Sequence, residues 1–411
     1  MQTHHSYAWL LRALALLMGI ALLVGGCARG DVLAGINETD SANSSAESDM
    51  ILITETESET NRKTQTRTER ETEEPMPENA ATYQLNSNTE GIKILGKRYL
   101  ADSKQINCDW TCSGIEFVID HEGGPIAFSV KGHAGSSYFR IWVDGEECIN
   151  PVRKNIRTPY FTAYASMNVL KTKGIEAGEH TIRIMKVTGH TLSRAQILSV
   201  TFAGTILSEK KPQDSDLYIE YVGDSICCAW GTIGSYKGDF DDQDGTLAYP
   251  YLVSEELHAD YAVTALSGQG LLCGNPGMTD GYLYASPLRD KTDNGLYQFE
   301  RKADIVVINI GTNDRNYVND EAAFETAYLN FLNTVRQKNG EDCKIICVYN
   351  MMNDTHENAI LSSVETFGGE DANVYVWKAE RTSGHPSKSK HEQYAYNLLN
   401  FMAIKGIVSG R

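Results

Sequence analysis

The sequence predicts two folded domains: a β-sandwich of jelly-roll type, then a three-layer α/β domain built on a parallel sheet. Short alternating strands with tight turns occupy residues 83–210, which is typical of a sandwich. From residue 215 to 411, apolar strands alternate with helices, which is typical of a parallel sheet covered on both faces. A chain of 411 residues has room for both domains and for additional segments.

The charge balance argues against nucleic acid as a partner. The chain has 37 Lys and Arg against 54 Asp and Glu, a net charge of −17. Residues 31–80 carry 13 acidic and 4 basic side chains, a balance of −9, so about half of the excess is local. Because affinity for nucleic acid depends on cations that neutralise phosphates, DNA and RNA binding are not expected.

Residues 1–26 are predicted to be a secretory signal. Trp9 to Val24 form an apolar run broken only by Arg12, and two glycines precede Cys27. This stretch resembles a bacterial lipoprotein signal, which implies cleavage before Cys27, lipidation of that cysteine and a membrane-anchored, extracellular cell-surface protein. An uncleaved anchor helix is the alternative, although the run is shorter than the roughly 20 residues of a bilayer span. Either interpretation places the rest of the chain outside the cytoplasm.

Residues 27–82 are predicted to be a disordered linker. No aromatic residue occurs from Gly30 to Ala81, and Glu, Thr and Ser recur, as in Glu55–Thr60. Such a composition cannot bury enough apolar surface to offset the entropy lost on ordering. The segment is interpreted as a tether between the anchor and the folded body, with a glycan-bearing stalk as the alternative.

The strands of both domains are predicted from apolar and alternating runs. In the sandwich they are 114–119, 126–130, 138–143, 180–184 and 197–202, with the tight-turn dipeptide Asp144-Gly145 after the third. In the α/β domain they are 218–222, 261–266, 305–310, 344–349 and 374–377, with helices over 321–338 and 387–404. Ligands of such sheets lie beyond the carboxyl ends of the strands, so functional residues are sought there.

Three motifs follow strands of the α/β domain. Gly223-Asp224-Ser225 places a serine at a strand-to-helix turn, where its hydroxyl can be exposed and its N–H can face a developing oxyanion. Gly311 to Asp314 contain Asn313, whose side-chain amide can stabilise the same charge. His385 directly precedes the last helix, a position suited to a general base.

These ordered motifs resemble those of the SGNH (GDSL-like) hydrolase superfamily. The resemblance implies a nucleophilic Ser225, a base His385, and an oxyanion hole formed by the Ser225 N–H, a glycine N–H and the Asn313 amide. The glycine is Gly268, which directly follows the second strand, or alternatively Gly270. The resemblance implies no cofactor, and no metal site is expected.

The predicted sandwich narrows the resemblance to one esterase family. It contains Leu95–Arg98, Trp110–Phe117 and Arg140–Gly145. Together with the hydrolase motifs, residues 84–411 resemble carbohydrate esterase family 2. This implies a serine esterase that removes O-acetyl groups from plant cell-wall polysaccharides such as xylan and glucomannan, with an acetylated polysaccharide or oligosaccharide as its partner.

One position departs from the superfamily pattern. The residue three positions before His385 is Thr382, where most members have an Asp that orients the histidine. Some members of carbohydrate esterase family 2 work as Ser–His dyads with a backbone carbonyl in that role. A carbonyl near Thr382 or Ser383 is the first candidate here, and Glu380 is the second. The departure also favours an alternative, a catalytically impaired carbohydrate-binding surface protein.

Other functional interpretations are weaker. A lipase or acyl-thioesterase would need a long apolar groove that the sequence does not display. His385 and His391 with Cys227 and Cys228 do not have a zinc-binding spacing. His391 is predicted either to support the residues of the site without touching substrate or to lie at the surface.

Several other residues are expected to be structural. Residues 239–244 fail the calcium-loop pattern and are interpreted as a solvated loop. Cys108 and Cys112 could form a bridge, but no disulfide is predicted. Trp230 and Trp377 could either stack on sugar or pack in the core.

Overall fold

The computed structural model describes residues 74–96, 105–150, 160–189, 193–233, 243–274, 277–286, 295–316 and 320–408. The predicted signal, Cys27 and the linker as far as residue 73 lie outside these ranges. Within the ranges, no helix has the length and apolar character needed to cross a bilayer.

Two antiparallel sheets form the N-terminal β region. Their strands are β1 (Ala81–Gln84), β2 (Lys93–Leu95), β3 (Ile106–Cys108), β4 (Ser113–His121), β5 (Ala127–Gly135), β6 (Ser137–Val143), β7 (Glu146–Glu147), β8 (Phe161–Ala163), β9 (Met167–Lys171), β10 (Gly178–Lys186), β11 (Ser193–Phe202) and β12 (Gly204–Ile206). One sheet has the order β1-β11-β5-β9, with β3 also on β11; the other has the order β12-β4-β10-β6-β7, with β2 on β4 and β8 on β6. The antiparallel sheets confirm that part of the prediction, while the jelly-roll connectivity stays a prediction.

Alternate side chains of the two sheets meet in one apolar core. Phe117 and Ile119 on β4 are fully buried against Phe128 and Val130 on β5. The Phe117 and Phe128 rings pack edge to face with centroids 6.4 Å apart. Since successive side chains of a strand point to opposite faces, alternating runs are what such a core requires.

The predicted tight turn joins β6 to β7. Asp144 has φ 52° and Gly145 has φ 83°. Positive φ at both central residues defines the type I′ turn, whose twist matches that of the flanking strands. The Asp-Gly dipeptide therefore predicted this hairpin correctly.

A parallel sheet forms the core of the C-terminal α/β region. Its strands are β13 (Tyr218–Gly223), β14 (Asp260–Ala265), β15 (Ile305–Asn309), β16 (Lys344–Tyr349) and β17 (Val374–Lys378), in the order β14-β13-β15-β16-β17. The helices are α1 (Tyr249–Glu256), α2 (Met278–Gly281), α3 (Glu321–Asn339), α4 (Glu357–Phe367) and α5 (Lys388–Ile404). The parallel sheet of the predicted α/β fold is confirmed.

The two faces of this sheet bury different sets of apolar residues. Tyr221 and Val263 belong to a core that includes residues of α1 and α5. Val222 and Ile308 point the other way, into a core that includes residues of α3 and α4. Helices on both faces explain why the strands read as continuous apolar runs.

Some elements differ from the prediction: helices α1, α2 and α4 and the short strands of the β region were not predicted, and α5 begins one residue later. Helix α1 was not predicted, because its eight residues begin with Tyr249 and Pro250 and lack clear apolar periodicity. Pro is compatible with the first helical turn, where its missing N–H would have no partner. Ser387, predicted as the first helical residue, instead caps α5 by accepting a bond from the Lys390 N–H at 3.4 Å.

The end of the predicted linker packs on the β region. The Glu74 carbonyl accepts a bond from Lys171 Nζ at 2.9 Å, and its carboxylate accepts one from the Gly174 N–H at 2.8 Å. Strand β1 then begins at Ala81 and pairs with β11. Composition does not reveal that these residues are ordered, because their structure depends on contacts with residues about a hundred positions away.

Candidate active site

The three predicted motifs converge at the carboxyl edge of the parallel sheet. Ser225 follows β13, Asn313 follows its neighbour β15, and His385 lies between β17 and α5. The carboxyl ends of parallel strands lie at one edge, so residues distant in sequence meet there.

Ser225 and His385 form a hydrogen-bonded pair. The distance from His385 Nε2 to Ser225 Oγ is 2.8 Å. Burial lowers the pKa of His385 below its usual value, which keeps the imidazole neutral at pH 7. A neutral imidazole at this distance can accept the hydroxyl proton.

Asp224 braces the turn that carries the nucleophile. Its Oδ1 accepts a bond from the Ile226 N–H at 2.9 Å, and its carbonyl accepts one from the Cys228 N–H at 3.2 Å. Burial, with a further contribution from Asp314, raises the pKa of Asp224 to about 7. These contacts agree with the interpretation of Asp224 as a structural residue.

The turn is too crowded for a side chain at Gly223. A Cβ there would lie 2.3 Å from Cys227 Sγ and 3.1 Å from the Asn309 carbonyl oxygen. Cys227 is buried, and its sulfur lies 3.2 Å from Tyr249 Oη. It therefore acts as a small core residue of the turn.

The environments of the two candidate glycines favour Gly268 as the oxyanion donor. The Gly270 N–H donates to the Cys273 carbonyl at 3.0 Å, which occupies it. Gly268 has φ +78°, a Cβ there would meet no atom within 4 Å, and among the described residues its N–H has no acceptor. Gly268 thus presents an available N–H beside open space.

Asn313 links the nucleophile turn to the loop of Gly268. Its Nδ2 donates to the Gln269 carbonyl at 2.8 Å and lies 3.4 Å from Asp224 Oδ2. Asn313 therefore contacts the residue before Ser225 and the residue after Gly268. The oxyanion-hole role of Ser225, Gly268 and Asn313 stays a prediction.

Asp314 is a site residue that the sequence analysis missed. It is fully buried, and its carboxylate accepts bonds from the N–H groups of Leu271, Leu272 and Cys273 at 2.7, 2.9 and 3.1 Å. A Cβ at Gly270 would lie 2.4 Å from Asp314 Oδ2, so this carboxylate packs against the loop. The sequence signal that could have indicated its role is that an acidic residue directly follows Asn313.

No candidate orienting group bonds to His385 Nδ1 among the described residues. Thr382 Oγ1 donates to the carbonyls of Met351 and Gly384, at 3.0 and 2.6 Å. Glu380 pairs with Lys390 at 2.7 Å. Thr382 therefore braces the loop that carries His385, and the group that orients the imidazole stays a prediction.

His391 and the two tryptophans have distinct surroundings. His391 is fully buried on α5 and stacks on Tyr249, so a surface position was wrong. Its Nδ1 lies 3.3 Å from the Tyr249 N–H, and burial lowers its pKa to about 3.

Trp377 packs in the core, whereas Trp230 is half-buried with its ring centroid 6.3 Å from that of His385.

Asp244 and two of the cysteines are also buried, while residues 239–242 of the acidic run lie outside the described ranges. Asp244 is fully buried and bonded to Arg140 and Tyr160, so a solvated position was wrong for this residue. Cys108 and Cys112 are buried free thiols in the structure. Within the described ranges, no group of three or more His, Cys, Asp or Glu side chains could hold a metal ion.

Part of the chain is similar to known hydrolases. Residues 221–376 match the model of the GDSL-like Lipase/Acylhydrolase family. The chain is 30% identical over 274 residues to the cellulase/esterase CelE of Acetivibrio thermocellus, covering 64% of this chain and 31% of that protein. It is 22% identical over 258 residues to an acetylxylan esterase/glucomannan deacetylase of Cellvibrio japonicus, covering 55% of this chain and 69% of the relative. The chain thus spans about a third of the length of CelE.

Solved structures extend the likeness to the β region. A family two carbohydrate esterase from Clostridium thermocellum, in complex with cellohexaose, aligns with a TM-score of 0.68 at 26% identity over 77% of this chain and 100% of that chain. The acetyl xylan esterase Est2A of Butyrivibrio proteoclasticus shares the fold, with a TM-score of 0.68 at 16% identity over 80% of this chain and 100% of that chain. The chain therefore contains a GDSL-like lipase/acylhydrolase domain, and its homologues and structural neighbours include family 2 carbohydrate esterases.

Proposed function

We propose that this protein is a serine esterase that removes O-acetyl groups from plant cell-wall polysaccharides such as xylan and glucomannan. The observation that carries the proposal is the 2.8 Å contact between Ser225 Oγ and His385 Nε2 at the carboxyl edge of the sheet. The adjacent donors of Gly268 and Asn313 support it. The names of the two curated relatives, an esterase and an acetylxylan esterase/glucomannan deacetylase, support the substrate class.

The proposed reaction begins with proton transfer. His385 Nε2 accepts the Ser225 proton as Oγ attacks the acetyl carbonyl, and the negative charge develops on the carbonyl oxygen. The N–H groups of Ser225 and Gly268 and the Asn313 amide stabilise that oxyanion. His385 then donates its proton to the leaving sugar oxygen, which leaves an acetyl-enzyme.

Water completes the cycle. His385 accepts a proton from the water that attacks the acetyl-enzyme, and a second tetrahedral intermediate forms in the same oxyanion hole. Its collapse releases acetate and returns the proton to Ser225. His385 also lines an open depression of about 540 Å³ with Ser387, Lys390 and Gln393, which offers polar space for the departing sugar.

Acetate release tests this proposal. The protein is incubated with acetylated xylan and with acetylated glucomannan beside the Ser225→Ala variant. Release by the parent and not by the variant is expected, and the relative rates rank the two substrates. No release from either polysaccharide, or equal release by the variant, would overturn the proposal.

The alternative is a catalytically impaired carbohydrate-binding protein. Thr382 occupies the position where the superfamily has an Asp, and the described residues offer His385 Nδ1 no hydrogen-bond acceptor. Binding of the deacetylated polysaccharides, measured by affinity electrophoresis, without acetate release from the acetylated forms is the result that favours this alternative.

The cellular location is a separate part of the proposal. Lipidation of Cys27 after removal of residues 1–26 would anchor the protein at the cell surface, where polysaccharide is accessible. Expression in a bacterial host with radiolabelled palmitate is expected to label the parent and not Cys27→Ala. Labelling of both proteins would contradict the lipoprotein assignment.

A further inference from the structure

A buried carboxylate of the α/β region is held by side chains of the β region. Asp244 is fully buried, and its Oδ2 accepts a bond from Tyr160 Oη at 2.6 Å. The same oxygen pairs with the guanidinium of Arg140, on β6. The Arg140 guanidinium lies over the Tyr160 ring, 5.1 Å from its centroid, and also binds Glu147 at 2.7 Å. The two β-region side chains thus hold the same carboxylate oxygen of Asp244.

Asp244 in turn holds the segment that follows the nucleophile. Its N–H donates to Thr232 Oγ1 at 3.2 Å, and Thr232 Oγ1 donates to the Ala229 carbonyl at 3.0 Å. Asp244 Oδ1 accepts a bond from the Thr246 N–H at 2.9 Å, which fixes the direction of its carboxylate. A displacement of Asp244 would therefore reach residues 229–232 directly.

Residues 229–232 contact both members of the Ser225–His385 pair. The Trp230 N–H donates to the Ser225 carbonyl at 2.9 Å. The backbone of Gly231 is so close to His385 that a Cβ there would lie 3.3 Å from the His385 Cβ. This segment consequently adjoins the serine on one side and the histidine on the other.

Other contacts keep the two regions together independently of these side chains. The Gly245 N–H donates to the Val187 carbonyl at 2.8 Å, and the Gly189 N–H donates to Gln243 Oε1 at 3.0 Å. Loss of one hydroxyl at Tyr160 leaves both bonds in place. We therefore expect such a variant to fold with its geometry altered locally.

We propose that Tyr160 and Arg140 are positioning residues for the catalytic pair, acting through Asp244 and residues 229–232. The β region is then a required part of the hydrolytic unit. This inference rests on the proposed function of Ser225 and His385, because it assigns these β-region residues to the geometry of that reaction. Neither Tyr160 nor Arg140 touches substrate in this role.

Tyr160→Phe in the full chain tests the inference. The variant removes the hydroxyl bond to Asp244 and keeps the aromatic ring under Arg140. We expect kcat on p-nitrophenyl acetate to fall about 10- to 100-fold, since small misplacements of reacting groups have effects of that size. KM is expected to change less than about twofold, because uniform binding of substrate is not affected. The rate at which a fluorophosphonate labels Ser225 is expected to fall in parallel with kcat.

Tyr83→Phe is the matched control. Tyr83 Oη donates to the Gly204 carbonyl at 2.5 Å within the β region, away from Asp244. Both variants lose one tyrosine hydroxyl bond, and both are assayed well below the temperature at which either unfolds. Tyr83→Phe is expected to keep the parental kcat and labelling rate.

The fluorophosphonate measurement separates failure of this inference from failure of the proposed function. Equal labelling rates of Ser225 in the parent and in Tyr160→Phe would overturn the inference, whether or not acetate is released. A labelled parent that releases no acetate would overturn the proposed function alone. If Tyr160→Phe does not fold, Arg140→Lys replaces it, and parental labelling by that variant would also overturn the inference. A parent that is not labelled would contradict both.

Discussion

The protonation state of His385 is set by burial. With no carboxylate bonded to its Nδ1 among the described residues, desolvation lowers its pKa below that of an exposed histidine. The base is consequently ready at pH 7, but its protonated form receives little electrostatic stabilisation during the reaction. From these properties of the Ser225–His385 pair we expect a specific pH profile of activity and a specific effect of substitutions at position 382 on that profile.

We expect kcat/KM to fall as the pH decreases through the lowered pKa of His385. The acid limb of the pH profile should lie below pH 6.5 and correspond to the binding of one proton. The sign follows because only the neutral imidazole accepts the Ser225 proton. Thr382→Asp is expected to move this limb to higher pH, since a nearby carboxylate stabilises the imidazolium. The measurement is kcat/KM on p-nitrophenyl acetate from pH 4.5 to 8.

Thr382→Asn is the control for that shift. It has nearly the same shape as Asp and also loses the hydroxyl that bonds Met351 and Gly384, but it has no charge. Its acid limb should stay with that of the parent. Because Asp224 has a pKa of about 7, Asp224→Asn is measured beside the parent. An acid limb above pH 6.5 that persists in Asp224→Asn would show that burial does not determine the protonation of His385.

Because His391 is buried in its neutral form, we expect acid to destabilise the protein. Its folded-state pKa is about 3, whereas an unfolded histidine titrates near 6.5, so between these values the unfolded state binds one more proton. Stability contributed by the neutral His391 is thus fully present above about pH 6.5 and is lost as pH falls towards 3. The expected slope is about 1.4 kcal/mol of unfolding free energy per pH unit.

Denaturant unfolding at pH 4.5, 5.5 and 7.5 checks this slope. In His391→Gln, the slope of the unfolding free energy against pH should decrease by the amount expected for one proton, although the stability of this variant at pH 7.5 is also lower. His258→Gln, at an exposed position, should leave the slope unchanged. The same slope in His391→Gln and in the parent would refute the assignment.

One carboxylate accepts several backbone N–H groups of the loop after β14. Asp314, after β15, accepts three consecutive N–H groups of residues 271–273, and the Gly268 donor lies just before them. A charged acceptor facing several N–H groups forms stronger bonds than a neutral one. The carboxyl ends of two strands are thereby coupled, and we expect the position of Gly268, the proposed oxyanion donor, to depend on that coupling.

Asp314→Asn is expected to lower kcat about 10- to 100-fold with a smaller change in KM. The amide offers fewer acceptor sites than the carboxylate and adds a donor that faces N–H groups, so the loop loses its fixed position. Asp320→Asn is the control, because Asp320 accepts a single bond from the Ala323 N–H as the exposed cap of α3. Steady-state kinetics of both variants should show a loss of kcat at position 314 alone. An unchanged kcat at 314 would remove Asp314 from the site.

Sequence patterns predicted the elements better than the contacts between them. The apolar strands, the Asp144-Gly145 turn and helices α3 and α5 follow from local composition, and the convergence of Ser225 with His385 follows from parallel topology. Asp314 and Asp244 could not be assigned, because their partners belong to other elements and an acidic residue usually indicates solvent exposure. Helix α1 was missed because it is short and stabilised by tertiary packing, as marginal helices are.

The β region and the α/β region share buried contacts. Trp110 is 1% exposed, and its indole N–H donates to the Ala285 carbonyl at 2.8 Å. Leu95, Cys112 and Met185 of the β region lie in the same apolar core as residues of α1 and α5. The described residues from 74 to 408 accordingly belong to one compact unit.

This shared core predicts that residues 69–411 unfold in one cooperative transition. Separating the two regions would expose apolar surface on both and leave buried polar groups without partners, so neither is expected to persist after the other unfolds. Guanidinium unfolding is followed by far-UV circular dichroism and by tryptophan fluorescence, to which Trp110 and Trp142 contribute from the β region and Trp230 and Trp377 from the α/β region. Coincident transitions are expected in the parent.

Trp110→Phe should lower the midpoint and keep the transitions coincident, since it weakens a contact that belongs to the single unit. Two separated transitions in the parent would show that the regions fold independently, and the β region could then be removed without unfolding the α/β region.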